Sequence, residues 1–286
     1  MALQSFQLSS IHGKHAPTHL AIGVFDGLHR GHQIVLQEAV EDAHRGQGVP
    51  GLLTFRPHPS RLFRPSSPTK LLMPEFNKLW MLEKLGIRVV IIEPFTRELA
   101  SIEAEDFLAH LLQFLPSLRA VYVGENFRYG HKRKGDAHAL KEQGEARGVK
   151  VKSLSGLMDE DELISSSRIR SYLQSGFLQE ANRLLGYHYF SFGEIIPGRK
   201  LGRQIGFPTL NMVWEPELCP AFGVYLVKVH DSKREGSTYE AIANYGLRPT
   251  VETEPSVPLL EIHLLSETCP FQAGDEIYVE WLSFLR

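Results

Sequence analysis

Near Gly186 the rhythm of this sequence changes, and the change limits the architectures open to it. Before that point, five short apolar runs at residues 20–25, 51–55, 89–92, 120–123 and 149–154 alternate with segments of helical periodicity. One helical pattern begins at Glu75, with Phe76, Leu79, Trp80 and Leu82 on one face. Another follows Ser101 as its N-cap and turns Phe107, Leu108, Leu111, Leu112 and Leu115 inward. Such alternation predicts an α/β module: a parallel sheet covered on both faces, with its ligand at the carboxyl ends of the strands. After Gly186 the helical period almost vanishes. Short alternating segments at 188–196, 224–230, 240–244, 259–265 and 276–282, separated by Gly, Pro, Ser and Asp, predict a small antiparallel barrel or sandwich. Helices at about 167–175 and 178–185 bridge the two, so the chain reads as domains 1–185 and 186–286. Its 286 residues suffice for two cores of modest size.

Charge narrows the partners. With 31 basic against 33 acidic residues there is no electrostatic case for a nucleic acid or a membrane surface, and the run His131-Lys132-Arg133-Lys134 reads as a solvated loop. Two cysteines, Cys219 and Cys269, without a pairing motif fit a reducing compartment. The N-terminus lacks the pattern of a signal peptide, and no run of about 18 apolar residues exists to span a bilayer. The expectation is a cytoplasmic protein, and a monomer is favoured without the oligomeric state being fixed.

The first strand runs into Gly23-x-Phe25-Asp26-Gly27-x-His29-x-Gly31-His32 and then a helix whose apolar stripe is Ile34, Val35, Ala39, Val40 and Ala43. A helix N-terminus favours anions, and His29 and His32, three apart, can aim two imidazole donors at one phosphate. The same spacing also suits an exposed helix end. A zinc site lacks both the Glu-containing five-residue pattern and a nearby Cys. The string Gly46-Gln-Gly48-Val-Pro-Gly51 matches the dinucleotide fingerprint letter for letter. It follows a helix and leads into a strand, however, so it reads as a connecting turn.

Three further segments lie at strand ends or at a helix start: Thr54-Phe55-Arg56-Pro57-His58-Pro59, the run 123–130 with Asn126, Phe127 and Tyr129, and Ile164-Ser165-Ser166-Ser167-Arg168-Ile169-Arg170. Serines before a helix are also ordinary caps, and Phe127 and Tyr129 also read as packing. Together with the histidine motif, and in this order, the segments resemble the nucleotidyltransferase signature of the FMN adenylyltransferase module of bacterial FAD synthetases. That resemblance implies a Rossmann-like domain in which an FMN phosphate oxygen attacks the α-phosphorus of ATP. It implies that His29 and His32 bind the reacting phosphate and that Arg170 holds the β- and γ-phosphates. Gly23, Phe25, Asp26, Gly31, Asn126, Ser165, Ser166 and Ser167 are then nucleotide-binding residues.

In the β-rich half, three glycines and a Phe-Pro step in the segment 198–211 make a tight loop. Thr209 and Asn211, two apart in an extended stretch, share a face on which a hydroxyl and an amide oxygen suit a hard cation bridging ATP phosphates. A glycine-rich turn with ordinary polar residues is the plainer reading of the same stretch. Asn244 lies in Ala243-Asn244-Tyr-Gly246, and Glu261 alternates with Leu260 and Ile262, which turns it into whatever cleft the strand lines. These pieces resemble the riboflavin kinase module, a small antiparallel β-barrel. The resemblance implies that Gly202, Arg203, Gly206, Pro208, Thr209, Asn211 and Asn244 bind magnesium-ATP, with Thr209 and Asn211 at the metal. Glu261 is then the base for the ribityl 5′-hydroxyl.

The function implied is bifunctional: riboflavin and ATP to FMN, then FMN and ATP to FAD and pyrophosphate. A cytidylyltransferase shares the histidine element but leaves the Phe-Pro-Thr-x-Asn loop and Glu261 unexplained. Relatives continue past the last strand into a further helix of about two dozen residues, whereas this chain stops at Arg286. The alternative is therefore an FMN adenylyltransferase whose kinase half only binds flavin.

Overall fold

The computed structural model describes residues 3–11, 18–197, 209–214, 216–231, 237–247, 258–266 and 268–286. Two units emerge, Met1–Lys70 with Lys78–Ile164, and Leu71–Asn77 with Ser165–Arg286, each built on its own sheet. Up to residue 163 the chain runs β1 (Gln4–Phe6), α1 (Leu8–Ile11), β2 (Thr18–Ile22), α2 (Arg30–Arg45), β3 (Val49–Arg56), α3 (Pro59–Phe63), α4 (Glu75–Lys84) and β4 (Val89–Pro94). It continues through α5 (Arg97–Ala100), α6 (Phe107–Phe114), β5 (Leu118–Gly124), β6 (Arg128–Tyr129), β7 (Gly135–Asp136), α7 (Ala137–Arg147), β8 (Lys150–Leu154), β9 (Met158–Asp159) and β10 (Glu162–Leu163).

Six of these strands form one parallel sheet in the order β1-β4-β3-β2-β5-β8. β2 is buried along its whole length and β5 nearly so, as strands covered on both faces must be, which is why the sequence shows continuous apolar runs there. The order reverses beside β2, since β3 lies on one side of it and β5 on the other.

The structure revises local expectations. β2 ends at Ile22, three residues early, because the chain leaves the sheet for a turn with positive φ at Phe25, Gly27 and Leu28. Ser101 does not open a helix. It closes α5, its hydroxyl donating to the Glu98 carbonyl at 2.7 Å, while Thr96 is that helix's N-cap. Phe76 is 64% exposed whereas Leu82 is buried, since at about 100° per residue six positions leave the two far apart around α4. The short edge strand β1 carried no legible pattern. Of the Gly46–Gly51 stretch, Gly46 to Gly48 form a turn out of α2, as expected, and Val49 to Gly51 already belong to β3.

α2 is anchored by a buried polar network. Asp42 accepts hydrogen bonds from Tyr122 Oη (2.8 Å), Lys152 Nζ (2.7 Å) and Arg45, and Tyr122 Oη also meets His19 Nδ1 at 2.8 Å. Burial opposes the Asp42 charge, but the bonds from Lys152, Arg45 and Tyr122 overcome it and hold the carboxyl well below the usual carboxylate range. A depressed folded-state pKa contributes stability that is present above the unfolded value, about 4, and lost as pH falls through the folded one. Asp42→Asn should therefore cost about 2–3 kcal/mol at neutral pH. It should also flatten the acid limb of a stability-against-pH curve measured by denaturant titration.

The second unit continues with α8 (Ser166–Gln174), α9 (Leu178–Leu185), β11 (Phe190–Ile196), β12 (Leu210–Val213), β13 (Gly223–Asp231), β14 (Thr238–Leu247), β15 (Pro258–Leu264) and β16 (Glu276–Phe284). The six strands close an antiparallel barrel in the order β11-β12-β15-β14-β13-β16, with β16 pairing back onto β11. That closure decides between barrel and sandwich. Four aromatic rings, those of Tyr189, Trp214, Tyr225 and Tyr245, surround the Trp281 ring at 4.6–6.1 Å and fill the interior, as a small barrel requires. Trp281 Nε1 donates to Ser191 Oγ at 3.1 Å, so its one polar atom is satisfied. No helix among the described residues is long and apolar enough to cross a membrane.

Candidate active sites

In an open parallel sheet, ligands bind at the carboxyl edge where the strand order reverses, here between β2 and β5. Gly23 N donates to Leu53 O at 3.1 Å as the chain departs from β3. The turn that follows buries both Phe25 and Asp26, and at φ 80° Gly27 takes a conformation that side chains disfavour. It delivers His29 to the N-cap of α2, in extended conformation, with Nδ1 accepting from the His32 backbone N–H at 3.4 Å. The two imidazoles stack at 3.6 Å with 19° between their planes. A Cβ on Gly31 would sit 3.3 Å from the His29 ring, so a side chain there would press on the stack and shift it by a few tenths of an ångström. The edge of the pair is closed by Phe25, whose ring meets His32 at 5.2 Å.

The cap assigns the protons. A His29 Nδ1 that accepts leaves the ring proton on Nε2, which can donate to a ligand. His32 Nδ1 is buried and has no partner among the described residues. Burial first, then His29 and Lys78, hold the His32 pKa well below its ordinary value, because two stacked imidazoles beside an ammonium cannot all carry charge. At neutral pH His32 is therefore a neutral hydrogen-bonding group, and a buried ring nitrogen without a partner is where a ligand atom would complete the set.

Lys78 was not among the sequence candidates. From α4 its Nζ donates to Val24 O (2.6 Å) and Thr54 Oγ1 (2.9 Å), at the ends of two neighbouring strands. The signal available was a charge four residues before buried Leu82, and so on the same inward face of α4.

Asn126 lies exposed in the loop after β5, where Phe127 N closes a turn onto Gly124 O at 2.9 Å. Tyr129 is a packing residue: it is buried against Phe107 at 4.9 Å, and burial pushes its hydroxyl up to about 12. Ser165 caps α8, accepting from Arg168 N at 3.3 Å, and Arg170 donates to Ser167 Oγ at 3.2 Å, so Ser165, Ser166, Ser167 and Arg170 share the first turns of one helix in the second unit.

In the barrel the register assembles a second group. Asn211 on β12 pairs with Glu261 on β15, which pairs in turn with Asn244 on β14. Directly paired residues project to the same side, so the three side chains form one rung. Leu260 and Ile262 fill the interior, which turns Glu261 to the outer face. Thr209, two residues before Asn211, precedes β12. Asn211 is only 5% exposed although it lies on that outer face. Gly202, Arg203, Gly206 and Pro208 lie outside the described residues.

Comparison with known proteins decides what these two groups belong to. The FAD synthetase family model matches residues 11–168 and the riboflavin kinase model residues 185–286. The chain belongs to the bifunctional riboflavin kinase/FMN adenylyltransferase family. A Bacillus subtilis member is 35% identical over 93% of this chain and 84% of its own length. One from Haemophilus influenzae is 36% identical over 86% and 78%. A solved Streptococcus pneumoniae structure, described as a macrolide-efflux protein, covers all of this chain and 91% of its own at a TM-score of 0.86 and 25% identity. The bifunctional riboflavin kinase/FMN adenylyltransferase takes riboflavin and ATP to FMN, then FMN and ATP to FAD and pyrophosphate. Nothing favours a β-barrel half that only binds flavin.

Proposed function

We propose that the two transfers use separate groups of residues, the histidine pair at α2 for adenylyl transfer and the Asn211–Glu261–Asn244 rung for phosphorylation. The stacked pair at the sheet's switch point supports the first assignment most strongly. An FMN phosphate oxygen attacks the α-phosphorus of ATP in line and pyrophosphate leaves, so the protein's contribution is positioning and charge stabilisation. His29 Nε2 and the ring of His32 hydrogen-bond the phosphate oxygens as charge builds, while the N-terminus of α2 adds its dipole. Gly23, Phe25, Asp26 and Gly31 shape the turn that carries the pair, and Asn126 borders the nucleotide from the neighbouring loop. Ser165, Ser166, Ser167 and Arg170 are assigned to the β- and γ-phosphates by the family's Ser-Ser-Ser/Thr-x-x-Arg motif alone.

In the barrel, Glu261 orients the riboflavin 5′-hydroxyl and takes its proton as the γ-phosphoryl group is transferred. Thr209 and Asn211 offer a hydroxyl and an amide oxygen, a donor set that suits magnesium carried in by ATP. Magnesium characteristically keeps several waters and is held by few protein ligands plus phosphates. Gly202, Arg203, Gly206 and Pro208 are assigned to the ATP loop by the motif, and Asn244 to the same face by register. Asn211→Ala should raise the magnesium concentration for half-maximal FMN formation on the order of tenfold or more and leave FMN-to-FAD conversion unchanged. Chromatography of flavin products across a magnesium titration checks this, and an unchanged titration removes Asn211 from the metal.

Free thiols at Cys219 and Cys269 support a reducing, cytoplasmic setting, and the net charge of −2 supports partners limited to small molecules.

A further inference from the structure

We infer that Lys78 is a positioning residue for adenylyl transfer: its ammonium ties the turn after β2 to the end of β3 and thereby holds the His29–His32 pair in register with the phosphates. The inference rests on the assignment of that pair given above. Three polar contacts close a triangle. Lys78 Nζ donates to Val24 O at 2.6 Å and to Thr54 Oγ1 at 2.9 Å, and Thr54 Oγ1 donates to Val24 O at 3.1 Å. Val24 is the first residue after the chain's last bond to the sheet, Gly23 N to Leu53 O, so its carbonyl has left the ladder and needs another partner. The next residues, Phe25 at φ 50°, Gly27 and Leu28 at φ 41°, adopt a conformation that side chains resist, and such a turn persists only where its surroundings hold it. Lys78, reaching in from α4, is that support.

Charge gives the ammonium a second effect that a neutral clamp would lack. The groups facing the His32 ring are His29 from its own turn, Lys78 from α4 and the uncharged Phe25 ring, and both His29 and Lys78 disfavour the imidazolium. With the positive charge placed on Lys78, His32 stays a neutral hydrogen-bonding group across the physiological range.

The test uses the full chain with Lys78→Met and Lys78→Arg. It measures kcat and KM for FMN-to-FAD conversion, the titration of the His32 ring by NMR, and riboflavin phosphorylation in the same preparation. Lys78→Met should lower the adenylyl-transfer kcat by about 10- to 100-fold with little change in the KM for ATP, shift His32 titration upward, and leave riboflavin phosphorylation intact. Lys78→Arg should restore a large part of kcat. Unchanged kcat, or an unmoved His32 titration, overturns the inference. Should Lys78→Met fail to fold, Thr54→Val, which keeps the charge but breaks the triangle, carries the test: a several-fold loss of kcat supports the clamp and an unaltered kcat overturns it. If His29→Ala leaves FAD formation intact, the site assignment itself falls. If His29→Ala removes it while Lys78→Met does not, only the clamp falls.

Discussion

His29→Ala should reduce FMN-to-FAD conversion by about 10²–10³ while riboflavin phosphorylation continues at its original rate. The loss is that of one preorganised donor, Nε2, aimed at charge that develops in the transition state. Two smaller consequences accompany it. Alanine is a poor N-cap, so α2 loses about 1 kcal/mol, and His32 loses the stacking partner that sits 3.6 Å away. His29→Asn separates these effects, because asparagine caps a helix start well but cannot reproduce the imidazole donor. It should recover thermal stability without recovering activity. The measurement is chromatographic separation of FMN and FAD after incubation with either riboflavin or FMN, plus ATP and magnesium. Undiminished FAD production by His29→Ala would falsify the role assigned to the pair.

The converse result is expected of Glu261→Gln, which should lower FMN formation from riboflavin by about 10²–10⁴ and leave FMN-to-FAD conversion intact. Glutamine keeps the volume and hydrogen-bonding reach of the side chain on the outer face of β15, between the paired residues Asn211 and Asn244. The barrel should therefore remain folded, with only the proton acceptor removed. Supplying FMN instead of riboflavin bypasses the lesion. Loss of both activities would indicate a damaged fold, and full retention of phosphorylation would assign the base elsewhere. Mixing His29→Ala with Glu261→Gln should restore riboflavin-to-FAD conversion, since FMN released by one chain is a substrate for the other.

Much of this was legible in the chain because it depends on local chemistry. Continuous apolar runs report strands buried on both faces, and alternating ones report strands with a wet side, so the shift near Gly186 separated a parallel sheet from a barrel. The strand, the glycines and the two histidines placed the pair at a helix start, where the structure has it. Other features were hidden for physical reasons. Residues 20–25 read as one strand because Val24 and Phe25 are apolar, yet Phe25 is buried in a turn and closes the edge of the histidine pair. Ser101 has the chemistry of an N-cap, but capping depends on which side of it the helix forms. The strand β12 is four residues long and offers too short a pattern to read alone.

What the sequence determined by itself was the family and its two reactions, through motifs defined by residue types at short spacing: the histidine pair, the serine–arginine helix start, and the Phe-Pro-Thr-x-Asn loop with its strand glutamate. Only the tertiary structure decided their register and electrostatics. It set Asn211, Glu261 and Asn244 in one rung from strands far apart in the chain. It brought Lys78 to a carbonyl 54 positions away, and stacked His32 so that burial and neighbouring charge keep it neutral. Strand pairing and burial join residues without regard to sequence separation, and pKa values follow from those neighbours rather than from residue type.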